Sequence, residues 1–145
     1  MTEPFVLGWE EWAAFPGLGI PALKAKVDTG ARTSALHAVA VEPFGPASKP
    51  QVRFILHPIP DQPEVELTCS APAVDRREVT SSNGETELRW VIEARVRVGE
   101  RDWPIEVTLT NRETMNFRML LGRSAIQPDM VVNPAISCAQ GLMSY

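Results

Sequence analysis

One short run carries residue types that could do chemistry: Asp28-Thr29-Gly30-Ala31. It follows the apolar-rich segment Leu23 to Val27, which predicts an aspartate at a strand end, where glycine lets the chain bend sharply and presents the carboxylate. A carboxylate presented in this way can serve as general base or, once protonated, as general acid. Taken alone, Asp-Thr-Gly reads first as an ordinary turn closed by an Asx-type hydrogen bond. Its surroundings add weight. Met119-Leu120-Leu121-Gly122-Arg123 lies far downstream, and a tight-turn signal, Ser82-Asn83-Gly84-Glu85, lies between the two. Other chemistries leave little trace: there is no His-Glu-x-x-His pair, no thiolate cluster and no Gly-Lys-Ser/Thr loop. His37, His57 and Cys69 would make three metal ligands, but nothing in their separation suggests it, and a hydrogen-bonded or surface histidine is the better reading for each. No metal and no cofactor is expected.

The elements that must position Asp28 read as mainly β. Glu87 to Val98 alternates Leu88, Trp90, Ile92, Ala94, Val96 and Val98 with Glu87, Arg89, Val91, Glu93, Arg95 and Arg97, predicting a strand with one apolar and one mostly charged face. A turn at Gly99-Glu100-Arg101-Asp102 leads to Ile105, Val107 and Leu109 alternating with Glu106, Thr108 and Thr110, an antiparallel hairpin. Asn83-Gly84 predicts a second hairpin with a type I′ turn, spanning Val79 to Trp90. Further strands are expected over Leu23 to Val27, Leu36 to Val41, Val52 to Leu56 and Val65 to Cys69. The one helix signal is short, Arg123-Ser124-Ala125-Ile126 ahead of Pro128. Thirteen prolines fall between the apolar runs and favour short strands joined by turns. Trp9, Trp12, Trp90 and Trp103 are read as core or dimer-contact aromatics.

At 145 residues the chain is read as a single domain spanning 1–145. Fourteen Lys+Arg against eighteen Asp+Glu argue against a broad phosphate-binding surface, so nucleic acid is not expected as a partner. No stretch approaches the ~20 apolar residues of a membrane helix and no signal peptide is visible, so no membrane partner and a cytoplasmic address are expected. The two cysteines, Cys69 and Cys138, are read as reduced.

Five segments together resemble a known family: Leu7-Gly8-Trp9-Glu10-Glu11-Trp12, the run from Lys24 through Asp28 to Ala38, Ser82-Asn83-Gly84, Leu109-Thr110-Asn111-Arg112, and Met119 to Arg123. The family is the bacterial and archaeal retropepsin-like proteins often labelled ATP-dependent zinc proteases, found beside or fused to RimK-type ATP-grasp glutamate ligases. The resemblance implies an all-β, retropepsin-like (acid protease) closed β-barrel with a hairpin flap and one short helix. It implies an aspartic peptidase in which Asp28, Thr29 and Gly30 are catalytic and the Met119 to Gly122 run packs near the catalytic loop. That chemistry needs two carboxylates sharing one proton, because neighbouring like charges cannot both stay ionised. Asp61, Asp75, Asp102 and Asp129 lack a following Thr/Ser-Gly, so the second carboxylate would come from another copy in a homodimer.

Ala31, the flap tip Ser82-Asn83-Gly84, and Arg76, Arg77 and Arg89 are the expected substrate-binding residues for a peptide or protein. The plainer reading of the arginines is a solvent-facing set balanced by Glu78, Glu85, Glu87 and Glu93. The sharper one is recognition of a glutamate-rich or glutamylated substrate, suggested by the glutamate-ligase association. A non-catalytic regulator or binding partner of a RimK-type ligase, built on the same fold, is the alternative.

Overall fold

A computed structural model describes residues 3–80, 84–111 and 117–143. Its strands are β1 (Phe5–Leu7), β2 (Glu10–Phe15), β3 (Ile20–Asp28), β4 (Ser34–His37), β5 (Val39–Phe44), β6 (Gln51–Leu56), β7 (Leu67–Thr80), β8 (Thr86–Val98), β9 (Arg101–Thr110), β10 (Met119–Gly122) and β11 (Met130–Val132). Nine form one sheet in the order β2-β3-β10-β4-β9-β8-β7-β6-β5, and an Ala14–Arg97 pairing joins β2 back to β8. β1 and β11 form a separate parallel pair. The protein is all-β, and among the described residues no helix is long and apolar enough to cross a membrane.

The core follows the strand period. Phe15, Ile20, Leu23, Leu36, Phe54, Ile92, Val107, Met119 and Leu121 are almost wholly buried and belong to one cluster. Each such side chain contributes about 1.5–3 kcal/mol relative to exposure. Trp103 is buried and donates its indole N–H to the Ala125 carbonyl at 2.9 Å, whereas Trp9 is 41% exposed with its ring edge-on to Phe117.

Four expectations need correction. The predicted helix at 123–126 is a single 3-10 turn, Arg123–Ala125, and a second such turn spans Pro16–Leu18. Gly122 and Ile126 on either side are both extended, and Pro128 disfavours helical backbone at Gln127, so no α-helical turn can close. The predicted strand over Leu36 to Val41 is two strands, because β4 pairs with β9 and β10 while β5 pairs with β6. The strand expected over Val65 to Cys69 begins instead at Leu67 and runs on through Pro72 to Thr80, its first half on β6 and its second on β8.

The fourth concerns the faces of β8. Leu88 is exposed, Arg89 is buried at 6% exposure, and Val91 and Ile92 are both fully buried. β8 pairs with β9 only from Val91 onward, so its first residues form the projecting end of the β7–β8 hairpin, with a different inside from the rest of the strand. A bulge between Ala73 and Asp75 on β7 marks the change.

The carboxylate of Glu11, 1% exposed, fastens the two ends of the chain together. It accepts backbone N–H bonds from Gly8 at 2.6 Å, Ala139 at 2.9 Å and Gln140 at 3.1 Å. Beside it Glu10 meets Lys24 at 2.9 Å and Ser137 at 2.8 Å. Burial pushes the Glu10 carboxyl up, but these bonds outweigh it and hold the group below its ordinary value.

Candidate active site

Asp28 is the last residue of β3, and its ladder neighbour is Gly122, the last residue of the parallel strand β10. The chain then turns: the Gly30 N–H donates to Asp28 Oδ1 at 3.1 Å and the Ala31 N–H to the Asp28 carbonyl at 3.2 Å. The Asx-type turn is therefore present, and it engages one carboxylate oxygen. Oδ2 has no partner among the described residues.

The turn is braced from below by β10 and the residues after it. Arg123 N–H donates to the Ala31 carbonyl at 2.7 Å, Ser124 N–H to the Arg32 carbonyl at 3.0 Å, and the Arg123 guanidinium to the Thr29 carbonyl at 3.0 Å. Gly122 donates its N–H to Ser34 Oγ at 3.0 Å. A Cβ on Gly122 would lie 2.5 Å from the Thr33 carbonyl carbon, so only glycine permits this approach. Ser34 is held in turn, because its carbonyl accepts from Thr108 Oγ1 at 3.1 Å, and Thr108 Oγ1 accepts from the buried Arg89 guanidinium at 3.3 Å. Arg89 also pairs with Glu87, which accepts from Thr110 Oγ1 at 2.6 Å.

Over this turn opens a cleft of about 900 Å³. Asp28, Gly30, Ala31, Arg32, Thr33, Ala35 and Leu120 form one wall; Arg77, Glu78, Val79, Thr80 and Arg89 of the β7–β8 hairpin form the other, with Glu106 and Thr110 alongside. Arg77 lies between Asp75 at 2.9 Å and Glu106 at 3.1 Å. The Arg76 N–H and then the Arg77 guanidinium hold the Asp75 carboxyl below its usual value, and Arg77 is raised chiefly by Asp75.

Of the residues singled out from sequence, Asp28, Gly30, Ala31, Arg77 and Arg89 thus meet at one cleft. Thr29 is exposed in the same turn but does not line the wall, and Gly84, at φ +86°, is exposed at the hairpin end. Ser82 and Asn83 lie outside the described residues. Arg76 faces away: strand alternation sends it to the other side of the hairpin, where its guanidinium stacks 4.8 Å from the Trp90 ring. Sequence reasoning missed Arg32, Ser34 and Thr108. The first two lie inside the run around Asp28 that carries the family resemblance, and Thr108 shares its strand face with exposed Glu106 but is itself buried. Among the described residues no group of three or more His, Cys, Asp or Glu could hold a metal ion. His57 donates from Nδ1 to the Pro63 carbonyl at 2.9 Å, His37 is buried in β4, and the Cys69 thiol donates to the Leu18 carbonyl at 3.4 Å.

Comparison with known proteins gives this arrangement a family. Two curated relatives, from Shewanella pealeana and Desulfotalea psychrophila, are each named a probable alpha-L-glutamate ligase. They are 50% identical over 137 residues and 42% identical over 139, covering 94% and 96% of this chain. The chain spans only 30% of the length of each. A crystal structure of a Legionella pneumophila protein of unknown function superposes with a TM-score of 0.79 at 27% identity, covering 94% of this chain and 98% of that one. The model of the RimB-like family, described as retropepsin-like aspartic endopeptidase RimB, matches residues 6–141, and the chain belongs to that family.

Proposed function

We propose that the chain, taken as one retropepsin-like domain over 1–145, is one half of a homodimeric aspartic peptidase that hydrolyses peptide bonds. The observation that carries this reading is the Asp28 carboxylate, braced by Gly122 and Arg123 at the floor of a cleft with Oδ2 unengaged. The Ala14–Arg97 pairing supports a closed barrel, and the β7–β8 hairpin is the flap, with Gly84 near its outer end. A cytoplasmic address is the working assignment.

In the dimer, Asp28 and its symmetry mate share one proton across the two-fold axis, and Thr29 of each turn braces the other. The ionised carboxylate takes a proton from the bound water as its oxygen attacks the amide carbon, and the protonated mate gives its proton to the carbonyl oxygen. The neutral gem-diol then collapses. One hydroxyl proton returns to a carboxylate, the amide nitrogen is protonated, and the C–N bond breaks. Ala31, Arg77 and Arg89 line the substrate's path, and the proposed substrate is a glutamate-rich or glutamylated peptide.

The test is hydrolysis of oligoglutamate-containing peptides by the wild-type chain and by Asp28→Asn, with sedimentation to establish the dimer. Asp28→Asn should abolish cleavage while keeping the wild-type melting temperature. Hydrolysis that survives in the folded variant would sink the mechanism.

A second reading rests on one finding: relatives 42–50% identical are named probable glutamate ligases and are far longer than this chain. On that reading the domain is a non-catalytic partner or regulator of a RimK-type ligase. A folded wild-type chain without peptidase activity that alters the rate of a glutamate ligase would favour it.

A further inference from the structure

Three arginines line the cleft, and their charges are not equally available. Arg77 already lies within 3.1 Å of two carboxylates, those of Asp75 and Glu106. Arg89 is buried against Glu87 and spends a further N–H on Thr108. A substrate carboxylate arriving at either must displace one that is already there, exchanging one ion pair for another with little net gain.

Arg32 differs. Its side chain is exposed on the cleft wall and has neither an ion pair nor a hydrogen bond among the described residues. Its backbone is nonetheless fixed: the Arg32 carbonyl accepts from Ser124 N–H at 3.0 Å, next to the 2.7 Å bond from Arg123 N–H to Ala31. The turn that holds Asp28 thus also holds an uncommitted guanidinium on the same wall.

We infer that Arg32 is the specificity-determining residue of the cleft, pairing through its planar fork with an acidic side chain of the peptide close to the bond held over Asp28. The inference rests on the peptide-cleft reading above and adds the residue that selects the side chain.

The experiment measures binding, so it does not depend on turnover. Fluorescein-labelled peptides carrying glutamate, and counterparts with glutamine, are titrated by anisotropy into the full chain carrying Asp28→Asn, alone and with Arg32→Gln added. The preference for glutamate over glutamine should fall about tenfold with Arg32→Gln, as expected for loss of one charge-assisted contact in a partly covered site. Arg97→Gln, which removes the same charge outside the cleft, should leave the preference as it was. Arg32→Glu should turn it toward lysine-bearing peptides. An undiminished preference in Arg32→Gln, or an equal fall in Arg97→Gln, would overturn the assignment and leave the peptidase reading standing. If neither peptide bound the Asp28→Asn chain, the cleft reading would fail and the role of Arg32 with it.

Discussion

Replacing Gly122 by alanine tests the contact on which the geometry of the Asp28 turn depends. Gly122 has φ −85° and ψ 171°, a backbone conformation open to any residue, so the whole cost of an added methyl comes from what it meets. The new Cβ would stand 2.5 Å from the Thr33 carbonyl carbon, 2.6 Å from its oxygen and 2.9 Å from the Ser34 nitrogen. Carbon contacts sit near ~3.5–4 Å, so the two backbones must part by roughly 1 Å. All three atoms are main chain, entering a strand paired on both sides, and none can rotate away. Overpacking of this kind costs about 1–3 kcal/mol, and the absence of a flexible neighbour argues for the upper end. Parting the strands also weakens the buried bond from Gly122 N–H to Ser34 Oγ, a further loss of about 1 kcal/mol or more. At about 2–4 °C per kcal/mol for a chain of this size, a loss of 3 kcal/mol lowers the melting temperature by roughly 6–12 °C. Circular-dichroism melts of the wild type, Gly122→Ala and Gly17→Ala supply the measurement. A Cβ on Gly17 meets nothing within 4 Å, so that variant should melt within about 2 °C of the wild type. On the peptidase proposal, a Gly122→Ala chain that still folds should hydrolyse peptide about 100-fold more slowly through displacement of Asp28. A Gly122→Ala protein melting as the wild type does would refute the account of the close approach.

Glu11→Ala removes the shared acceptor of three backbone N–H groups at a site 1% exposed; it should cost about 3 kcal/mol or more, read as a lower urea midpoint at unchanged slope. An unchanged midpoint would mean that the chain ends are held by something else. Burial pushes the Cys69 thiol up to about 11 from 9.0, so iodoacetamide at pH 8 should label Cys138 well before Cys69, and Cys69 readily only in denaturant. Because the folded state keeps a proton that the unfolded chain releases, the contribution of Cys69 to stability is complete below pH 9 and lost as the pH rises toward 11. Cys69→Ala should remove that part of the alkaline decline; labelling of both thiols at equal rates in the folded protein would contradict the burial.

The strand positions were legible because a half-buried strand writes its two faces into alternate residues, as Glu87 to Val98 and Ile105 to Thr110 do. The same signal misled where one strand has two environments. Arg89 counted as solvent-facing because Arg95 and Arg97 share its parity, yet β8 leaves β9 before Val91 and its outer residues answer to the cleft instead of the core. The two halves of the candidate site were each visible as motifs. Their adjacency was not, because the parallel pairing of Gly122 with Asp28 joins residues with no local signal between them, and it was the family resemblance that brought the two together. The charges of the cleft show the limit most clearly. In the sequence Arg32, Arg77 and Arg89 are alike, each with acidic residues somewhere nearby. What separates them is that β9 brings Glu106 to Arg77, Glu87 on β8 meets Arg89, and no carboxylate among the described residues pairs with the Arg32 guanidinium. Whether an arginine is a structural counterion or a free receptor for an anion is therefore a property of strand pairing, which residue type cannot encode.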